Sequence, residues 1–218
     1  METKTLIVPR IETLDTIDTP DGISHVLDTS GTLHSISCCN WMEQYPYRPL
    51  AGFVAAHSGK NLYIDFLVRC NYLRAVNYAD QSAVSEDSCV EVFLQPKPDG
   101  EYWNFEFNCI GAINASHRLT RPEPVRLCST ELASVKRYPT CGTKPFCEVE
   151  GFFTWNLLVV IPLGLIGIEN AAPGTMLRGN FYKCASAASQ PHFLSWNPIE
   201  TPTPDFHRPE FFGNIILE

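Results

Sequence analysis

Apolar and polar residues alternate along several short stretches of the chain, and this period of two is typical of β-strands with one buried face. In the clearest stretch, 62–70, every second residue from Leu62 to Cys70 is apolar, whereas Asp65 and Arg69 fall on the opposite face. Further strands are predicted at 88–95, 102–109, 152–161, 177–185, 193–196 and 213–217. Helical periodicity is weak nearly everywhere. The pattern therefore predicts an all-β fold, an antiparallel β-sandwich formed by residues 1–218 as a single domain.

Two of these stretches flank the sequence Pro-Lys-Pro-Asp-Gly at 96–100, a strong turn signal that predicts a β-hairpin. We centre the turn between Pro98 and Asp99 because a slip of one residue would bury charges. One face of the hairpin is then apolar and joins the core, with Val90 opposite Phe107, Val92 opposite Phe105 and Leu94 opposite Trp103. The other face pairs Glu91 with Glu106, Phe93 with Asn104 and Gln95 with Tyr102, with Cys89 and Asn108 beyond.

The polar face of this hairpin places two carboxylates, those of Glu91 and Glu106, directly opposite each other. Solvated carboxylates in such a pair repel by roughly 0.2–1 kcal/mol, so a cation, an arginine or a hydroxyl-rich ligand is expected between them. The candidate arginines are Arg69, Arg118 and Arg178. Acids, amides and aromatic rings together also suit a sugar, because rings cover its C–H faces and carboxylates accept its hydroxyl groups. An ordinary solvent-facing sheet surface is the alternative.

The charge of the chain narrows the classes of partner. The formal net charge is −8, and an acidic surface repels phosphate groups, so neither nucleic acid nor an anionic membrane is an expected partner. The longest apolar run, 157–168, contains Pro162 and Gly164 and is too short to span a bilayer. The sequence thus predicts no membrane insertion.

Nine cysteines, an odd number without a Cys-X-X-Cys pair, favour free thiols in a reducing compartment. The first residues lack the apolar core of a secretory signal. Both features predict a cytoplasmic location; an exported origin stays open if a leader has been trimmed from the chain.

The segment 198–209 contains four prolines and is predicted to wrap the outside of the sandwich as an extended loop, because proline lacks the donor that a central strand needs. Just before it, Trp196 follows two apolar residues and is predicted to be a core or loop-anchoring residue. Trp41 precedes an aromatic and proline cluster at 45–49. We interpret Trp41 as a plug for the sandwich, with a binding platform as the alternative.

Several segments together carry a resemblance to a known family. They are 86–94 and 102–108 with Gly111, the strand 152–162 that ends in Ile-Pro, the late strand 178–183, and 195–213, where a proline and a Phe-Gly pair precede the last strand. In this order they resemble family 9 carbohydrate-binding modules, over roughly residues 50–218. The resemblance implies a jelly-roll sandwich that binds a mono- or oligosaccharide without catalysis, in carbohydrate catabolism, often with structural calcium.

The resemblance also implies roles for individual residues. Glu91 matches the glutamate that bonds sugar hydroxyls, and Phe206 matches the C-terminal ring of an aromatic clamp. The position of the second ring holds residues 83–85 (Ala, Val, Ser), and that of the clamp arginine holds Glu106, so the site is predicted to be altered or degenerate. Candidate replacements for the missing ring are Tyr78, Trp41 and Trp196. The complete predicted ligand-binding set is Glu91, Phe93, Asn104, Glu106, Asn108, Arg118, Phe206 and His207.

Calcium, if bound, is predicted at Glu86 and Asp87, the position favoured by the resemblance. A second oxygen-rich set, Asp15, Asp18 and Asp21, is interpreted as a solvated Asp-Gly turn rather than a calcium site. The six histidines show neither a His-X3-His pair nor an HExxH motif, so zinc is not expected.

Two further functions compete with sugar binding. Glu91 and Glu106 could lie at the separation used by retaining glycosidases, about 5 Å. Nothing in the sequence drives their pKa values apart, however, so a binding module is favoured over an enzyme. A haem-binding relative of the same sandwich would need axial ligands, for which Met42 and Met176 are the available methionines besides the first residue.

Overall fold

Two β-sheets pack face to face in the computed structural model, which describes residues 3–218; Met1 and Glu2, the start of the predicted domain, lie outside the described residues. The large sheet contains β1 (Thr5–Val8), β5 (Cys89–Gln95), β6 (Tyr102–Asn108), β7 (Ile113–Arg118), β8 (Val125–Arg126), β11 (Thr175–Ala185), β12 (His192–Ser195) and β13 (Gly213–Leu217). The small sheet contains β2 (His34–Ser35), β3 (Leu50–His57), β4 (Asn61–Ala75), β9 (Lys136–Pro139) and β10 (Phe146–Pro162). The predicted β-sandwich is confirmed.

The order of strands places β5 and β6 near the middle of the large sheet. That order is β1, β13, β11, β5, β6, β7, β8, and β12 pairs with β11. In the small sheet the order is β2, β3, β4, β10, β9. Strand β1 pairs with β13 in parallel, which departs from the wholly antiparallel sandwich predicted from the sequence.

The predicted register of the β5–β6 hairpin is confirmed: Val90 lies opposite Phe107, and Glu91 lies opposite Glu106. The turn closes where Gly100 N donates to the carbonyl of Lys97 at 3.1 Å. Asp99 adopts a positive φ of 56°, a conformation that aspartate tolerates better than most residues. Turn chemistry and alternation therefore agree on one register.

The core lies between the two inner faces. The alternate residues of β4 from Leu62 to Cys70 are buried there, as predicted. Phe53 of β3 stacks on Phe181 of β11 with ring centroids 3.7 Å apart, which joins the two sheets directly. Trp196 packs edge-on against both rings, which confirms its core role.

Helix α1 (Pro20–Ser30) was not predicted, and the interpretation of Asp21–Gly22 as a turn is wrong. The Thr19 side chain accepts a hydrogen bond from Gly22 N at 3.2 Å, and Pro20 occupies the first helical position, so the helix begins with a standard cap. Leu27 is fully buried on the outer face of the small sheet. A second, shorter helix, α2, spans Ser129–Ser134.

The proline-rich segment crosses the outer face of the large sheet as an extended loop, as predicted, up to a short 3-10 turn at Pro209–Phe211. Tyr182 on β11 donates to the carbonyl of Phe206 at 3.1 Å, and Trp41 Nε1 donates to the carbonyl of Thr201 at 2.7 Å. These bonds hold the loop down. Within residues 3–218, no helix is long and apolar enough to cross a membrane.

Candidate functional site

The outward side chains of β5 and β6 lie beneath the proline-rich loop rather than in open solvent. The carboxyl groups of Glu91 and Glu106 are only 2% and 7% exposed. Around them, apolar residues of the sheet and loop form an outer aromatic cluster that includes Trp41, Phe93, Tyr102, Tyr182, Phe206 and Phe212. The sheet face that the alternation predicts to be polar is thus a second, partly aromatic interior.

One small pocket, which we call the hairpin pocket, opens into this interior. Its volume is about 150 Å³, and its lining residues are Ser85, Glu91, Glu106, Arg121, Cys184, Ser186, Phe193, Pro204, Asp205, Phe206 and His207. Carboxyl, guanidinium, imidazole and aromatic groups therefore surround a space that can hold a small polar molecule.

Glu106 is held by amide groups. Asn104 Nδ2 donates to its Oε1 and Asn114 Nδ2 donates to its Oε2, both at 3.0 Å. Asn104 is itself fixed by Arg118, whose guanidinium donates to Asn104 Oδ1 at 2.9 Å. Burial raises the pKa of Glu106, while these amides and Arg118 oppose the shift. Arg118 is therefore the arginine expected beside the acids, acting through an intervening amide.

Glu91 has weaker protein partners. Its Oε1 accepts from Cys184 Sγ at 3.1 Å and from Cys89 Sγ at 3.7 Å. Among the described residues, no donor bonds its Oε2. Burial raises the pKa of Glu91 well above its usual range, and the neighbouring Cys184 and Glu106 add to the effect. Glu91 is thus the lining acid with unused hydrogen-bonding capacity.

His207 lines the pocket as a neutral imidazole. Burial, together with Arg118 and Arg121, lowers the pKa of His207 to about 3. Its Nδ1 lies 3.1 Å from the hydroxyl of Tyr102, whose own pKa burial raises to about 12. A protonated Tyr102 donates to Nδ1, which leaves the imidazole proton on Nε2 as a hydrogen-bond donor.

Two aromatic rings line the pocket, but they do not form a parallel clamp. Phe206 stacks on Tyr182 at 4.2 Å between centroids, so one face of its ring is covered. Phe193 of β12 meets Phe206 edge-on at 6.1 Å and 69°. Rings in mutual contact leave no room for a sugar between them, so a ligand can contact them only from the pocket side.

A family model described as "Carbohydrate-binding family 9" matches residues 21–217. The chain belongs to carbohydrate-binding family 9. No curated protein matches it significantly.

Solved structures agree with this assignment. A Bacteroides uniformis protein, provisionally described as carbohydrate-binding, is 32% identical over the whole of both chains, with a TM-score of 0.92. A family 9 module from Caldicellulosiruptor kristjanssonii in complex with glucose covers 99% of this chain and 96% of its own, at 13% identity and a TM-score of 0.56. The same organism's module in complex with cellotriose aligns at 12% identity and a TM-score of 0.55, covering 99% of this chain and 94% of its own. At these low identities the two modules show a shared fold.

Within this family 9 fold, the pocket gathers half of the predicted ligand-binding set, namely Glu91, Glu106, Phe206 and His207. The other four predicted residues do not line it. Phe93 is fully buried among Tyr182, His207 and Phe212. Asn104 and Arg118 lie beneath the pocket, where they support Glu106. Asn108 points elsewhere and donates to Asp87 at 3.0 Å.

None of the proposed replacements for the missing clamp ring reaches the pocket. Tyr78 is largely exposed, Trp196 lies in the core, and Trp41 is buried in the outer aromatic cluster, where it packs against Phe206 and Phe193. Trp41 is therefore covered rather than displayed as a platform. Of the other two candidate arginines, Arg178 donates to the carbonyl of Phe212, and Arg69 is exposed on the small sheet.

Sequence reasoning missed Phe193, Arg121 and Cys184 as lining residues. Phe193 and Cys184 pair across β11 and β12, and neither strand was placed beside the hairpin from the sequence. Arg121 follows β7 and forms an ion pair with Asp205 of the loop at 3.2 Å. Alternation in the predicted stretch 177–185 was the available signal, since it puts Cys184 on the face opposite Phe181.

The predicted calcium position is filled by protein groups. The fully buried carboxylate of Asp87 accepts from the Arg74 guanidinium, from the backbone N–H groups of Val76 and Asn77, and from Asn108. A guanidinium bound to the same carboxylate repels a divalent cation, so Asp87 in this setting does not fit calcium, and calcium at Glu86 stays a prediction. Asp15 accepts instead from Asn61 and Tyr63, at 2.8 and 2.6 Å.

A larger groove of about 430 Å³ lies on the small sheet, and its lining includes Leu33, Leu50 and Leu67. Its charged lining residues are Arg48 and Arg69, without a carboxylate or amide side chain. The hairpin pocket is smaller but combines all the polar groups that orient a hydroxylated ligand, so it is the candidate site. Met42 and Met176, the candidate haem ligands, are exposed and line neither cavity.

Proposed function

We propose that this family 9 chain binds a saccharide in the hairpin pocket, as a non-catalytic module linked to carbohydrate catabolism. The observation that carries the proposal is the convergence of Glu91, Glu106 and His207 on one pocket whose wall is aromatic. The relatives support it, since the two Caldicellulosiruptor modules hold glucose and cellotriose.

The lining residues have different roles in binding the sugar. Glu91 has a free oxygen for a sugar hydroxyl, and the Nε2–H of His207 donates to a second hydroxyl. Phe193 and Phe206 cover the C–H groups of the sugar from one side. A pocket of about 150 Å³ favours a single sugar unit over an extended chain, which makes this an altered form of the two-ring clamp.

Hydrolysis by the same two acids is not proposed. A retaining glycosidase needs one ionised carboxylate as nucleophile and one protonated carboxyl as acid. Burial raises the pKa of both Glu91 and Glu106, so their surroundings shift the two carboxyl groups in the same direction rather than apart. Binding without turnover is the function that this pair supports.

Calorimetry against a panel of monosaccharides and short oligosaccharides tests the proposal, with turnover of chromogenic glycosides measured in parallel. We expect binding of at least one sugar to weaken roughly 10–100-fold in Glu91→Ala, because a hydrogen bond to a carboxyl group in a buried site is removed. Glu101→Ala, on the same hairpin but outside the pocket, is the matched control and should bind as the parent does.

Two outcomes would overturn the proposal. One is the absence of heat with every sugar in the panel. The other is sugar binding that is equally strong in Glu91→Ala and in the parent, which would place the site elsewhere on the molecule.

A further inference from the structure

Two thiols and a carboxyl group meet at the floor of the hairpin pocket. Strand pairing places Cys89 of β5 directly opposite Cys184 of β11, and Glu91 follows two residues along the same face of β5. All three side chains are buried, and their donor atoms lie within 4.8 Å of one another. They form the one such group of three among the His, Cys, Asp and Glu side chains of residues 3–218.

We propose that Cys89, Glu91 and Cys184 bind a thiophilic divalent cation of the zinc class. In a tetrahedral zinc site with bonds of about 2.3 Å to sulfur and about 2.0 Å to oxygen, neighbouring sulfur and oxygen ligands are about 3.5 Å apart. Here the two sulfurs lie 3.1 and 3.7 Å from Glu91 Oε1. The two sulfur–oxygen separations therefore bracket the value expected for neighbouring ligands of a tetrahedral ion, and the two sulfurs lie within 4.8 Å of each other.

The hairpin pocket borders this group of ligands. Glu91 and Cys184 line the pocket, whereas Cys89 lies beneath them. Three protein ligands with one open position are typical of zinc sites that keep a water or an exchangeable ligand. The pocket gives the ion a route from solvent, and it gives a bound sugar hydroxyl a place beside the ion.

The charge around the group suits such an ion. Two thiolates, one carboxylate and a divalent cation carry a net charge of −1, which is costly to bury without a counter-charge. The fully buried Lys183 places its Nζ 2.7 Å from the carbonyl oxygen of Cys184, and its other hydrogen-bond partner is the imidazole of His192 at 2.9 Å. Because Lys183 alternates with Cys184 along β11, its side chain lies on the core face of the sheet. Its ammonium therefore offsets the charge of the site across the β11 backbone, without contacting the three ligands.

The absence of a histidine motif led the sequence to predict no zinc, because metal motifs are recognised by short spacing along the chain. Here the second thiol comes from a strand distant in sequence, and only the pairing of β5 with β11 brings it to the first. Binding replaces the two thiol protons, and any proton on Glu91, which pass to solvent.

Titration of the reduced, metal-free chain with Co²⁺, in a buffer whose reductant is not a thiol, tests this site. We expect the visible absorption of tetrahedral Co²⁺ with thiolate charge-transfer bands, saturating at one ion per chain, and its displacement by Zn²⁺. Cys89→Ser and Cys184→Ser should each weaken affinity by more than the roughly 10–100-fold lost when a supporting residue is removed. Cys128→Ser and Cys147→Ser, at exposed thiols, are the matched controls and should bind as the parent does.

If the serine variants fail to fold, Glu91→Gln tests the site instead, because glutamine preserves the size of the side chain. This variant should weaken Co²⁺ binding while its circular dichroism spectrum stays unchanged. The proposal is overturned if reduced parent protein shows no such absorption, or if the absorption persists in Cys89→Ser, Cys184→Ser and Glu91→Gln. The result is separable from the proposed function. If calorimetry detects sugar binding but Co²⁺ gives no absorption, only the metal site is overturned. If Co²⁺ gives the absorption but calorimetry detects no sugar binding, only the proposed sugar binding is overturned.

Discussion

The two sheets each turn one face outward, and these two outer faces are covered in different ways. Helix α1 covers the small sheet, where Leu27 and Ile23 pack on an apolar surface. The proline-rich loop covers the large sheet, where carboxyl, amide and thiol groups lie among aromatic rings. Both faces are partly covered, but only the loop-covered face contains a pocket lined by carboxyl groups.

The type of cover explains the difference. A helix satisfies its own backbone hydrogen bonds, so it can press a continuous apolar stripe onto a sheet and exclude water. An extended loop has backbone groups that need partners, and these come from Tyr182 of β11 and from Trp41 in the turn before β3. The irregular loop leaves a concavity, and polar side chains can remain there at lower cost.

Asp65 is the exception on the helix side. It is 1% exposed beneath α1, and its Oδ1 has no hydrogen-bond partner in the described residues. Burial raises the pKa of Asp65 to about 6. The buried polar group under the helix thus lowers stability, whereas the polar groups under the loop line the candidate site.

The largest expected effect comes from Leu27→Ala, which tests whether the helix-covered face is purely structural. Removing a fully buried leucine should lower the free energy of unfolding by about 2–5 kcal/mol, through lost burial and the cavity left behind. Chemical denaturation measures the loss, and Leu33→Ala, at an exposed leucine, is the control. Sugar affinity of the folded variant should be unchanged; a matching loss of affinity would join the two faces into one functional unit.

Asp65→Asn should make stability less dependent on pH. Because the folded pKa of about 6 lies above the ordinary value of 3.8, the unfolded chain ionises first, and stability falls as pH rises from 4 to 6. The stability difference between Asp65→Asn and the parent should therefore grow by about 2.5 kcal/mol in favour of the variant between pH 4 and 8. Denaturation curves at several pH values measure it, with Asp99→Asn as an exposed control. Parallel curves for parent and variant would contradict a raised pKa of the buried Asp65 carboxyl.

The smallest effect is expected at the rim of the loop-covered face, from Phe193→Ala. Loss of one half-buried ring that contacts the ligand from a single side should weaken sugar binding about tenfold, or about 1.4 kcal/mol. Phe152, 95% exposed elsewhere, provides the control Phe152→Ala. Calorimetry that finds both variants equal to the parent would remove Phe193 from the site.

The sequence predicts the sandwich and the hairpin register because each strand alternates and because the turn at 96–100 admits one pairing. The two acids of the pocket follow from that register alone. Strand alternation shows which side chains face outward, but it does not show which segment covers them. The sequence therefore predicts that Phe93 and Asn108 contact ligand, although both are buried. The strand that pairs with the hairpin could not be predicted either. Cys184 reaches the pocket only because β11 pairs with β5, and these two strands are far apart in the sequence.

Helix α1 escaped prediction for a different reason. Its buried residues, Ile23 and Leu27, form a single short stripe, and the Asp21–Gly22 pair imitates a turn. The Thr19–Pro20 cap was present in the sequence and could have identified the start of the helix. Local capping chemistry was more informative here than hydrophobic periodicity.

The parallel pairing of β1 with β13 at the edge of the large sheet also affects the order in which that sheet forms. Strand β1 pairs with β13 and not with any strand close in sequence. Thr5–Val8 can therefore pair only after Gly213–Leu217 has been synthesised. Contacts at this separation close one of the longest loops the chain offers and form slowly. During synthesis the first strand therefore remains an unpaired apolar segment until residue 217 has left the ribosome. We expect this unpaired strand to favour misassembly in that interval, because an exposed apolar strand can pair with other segments.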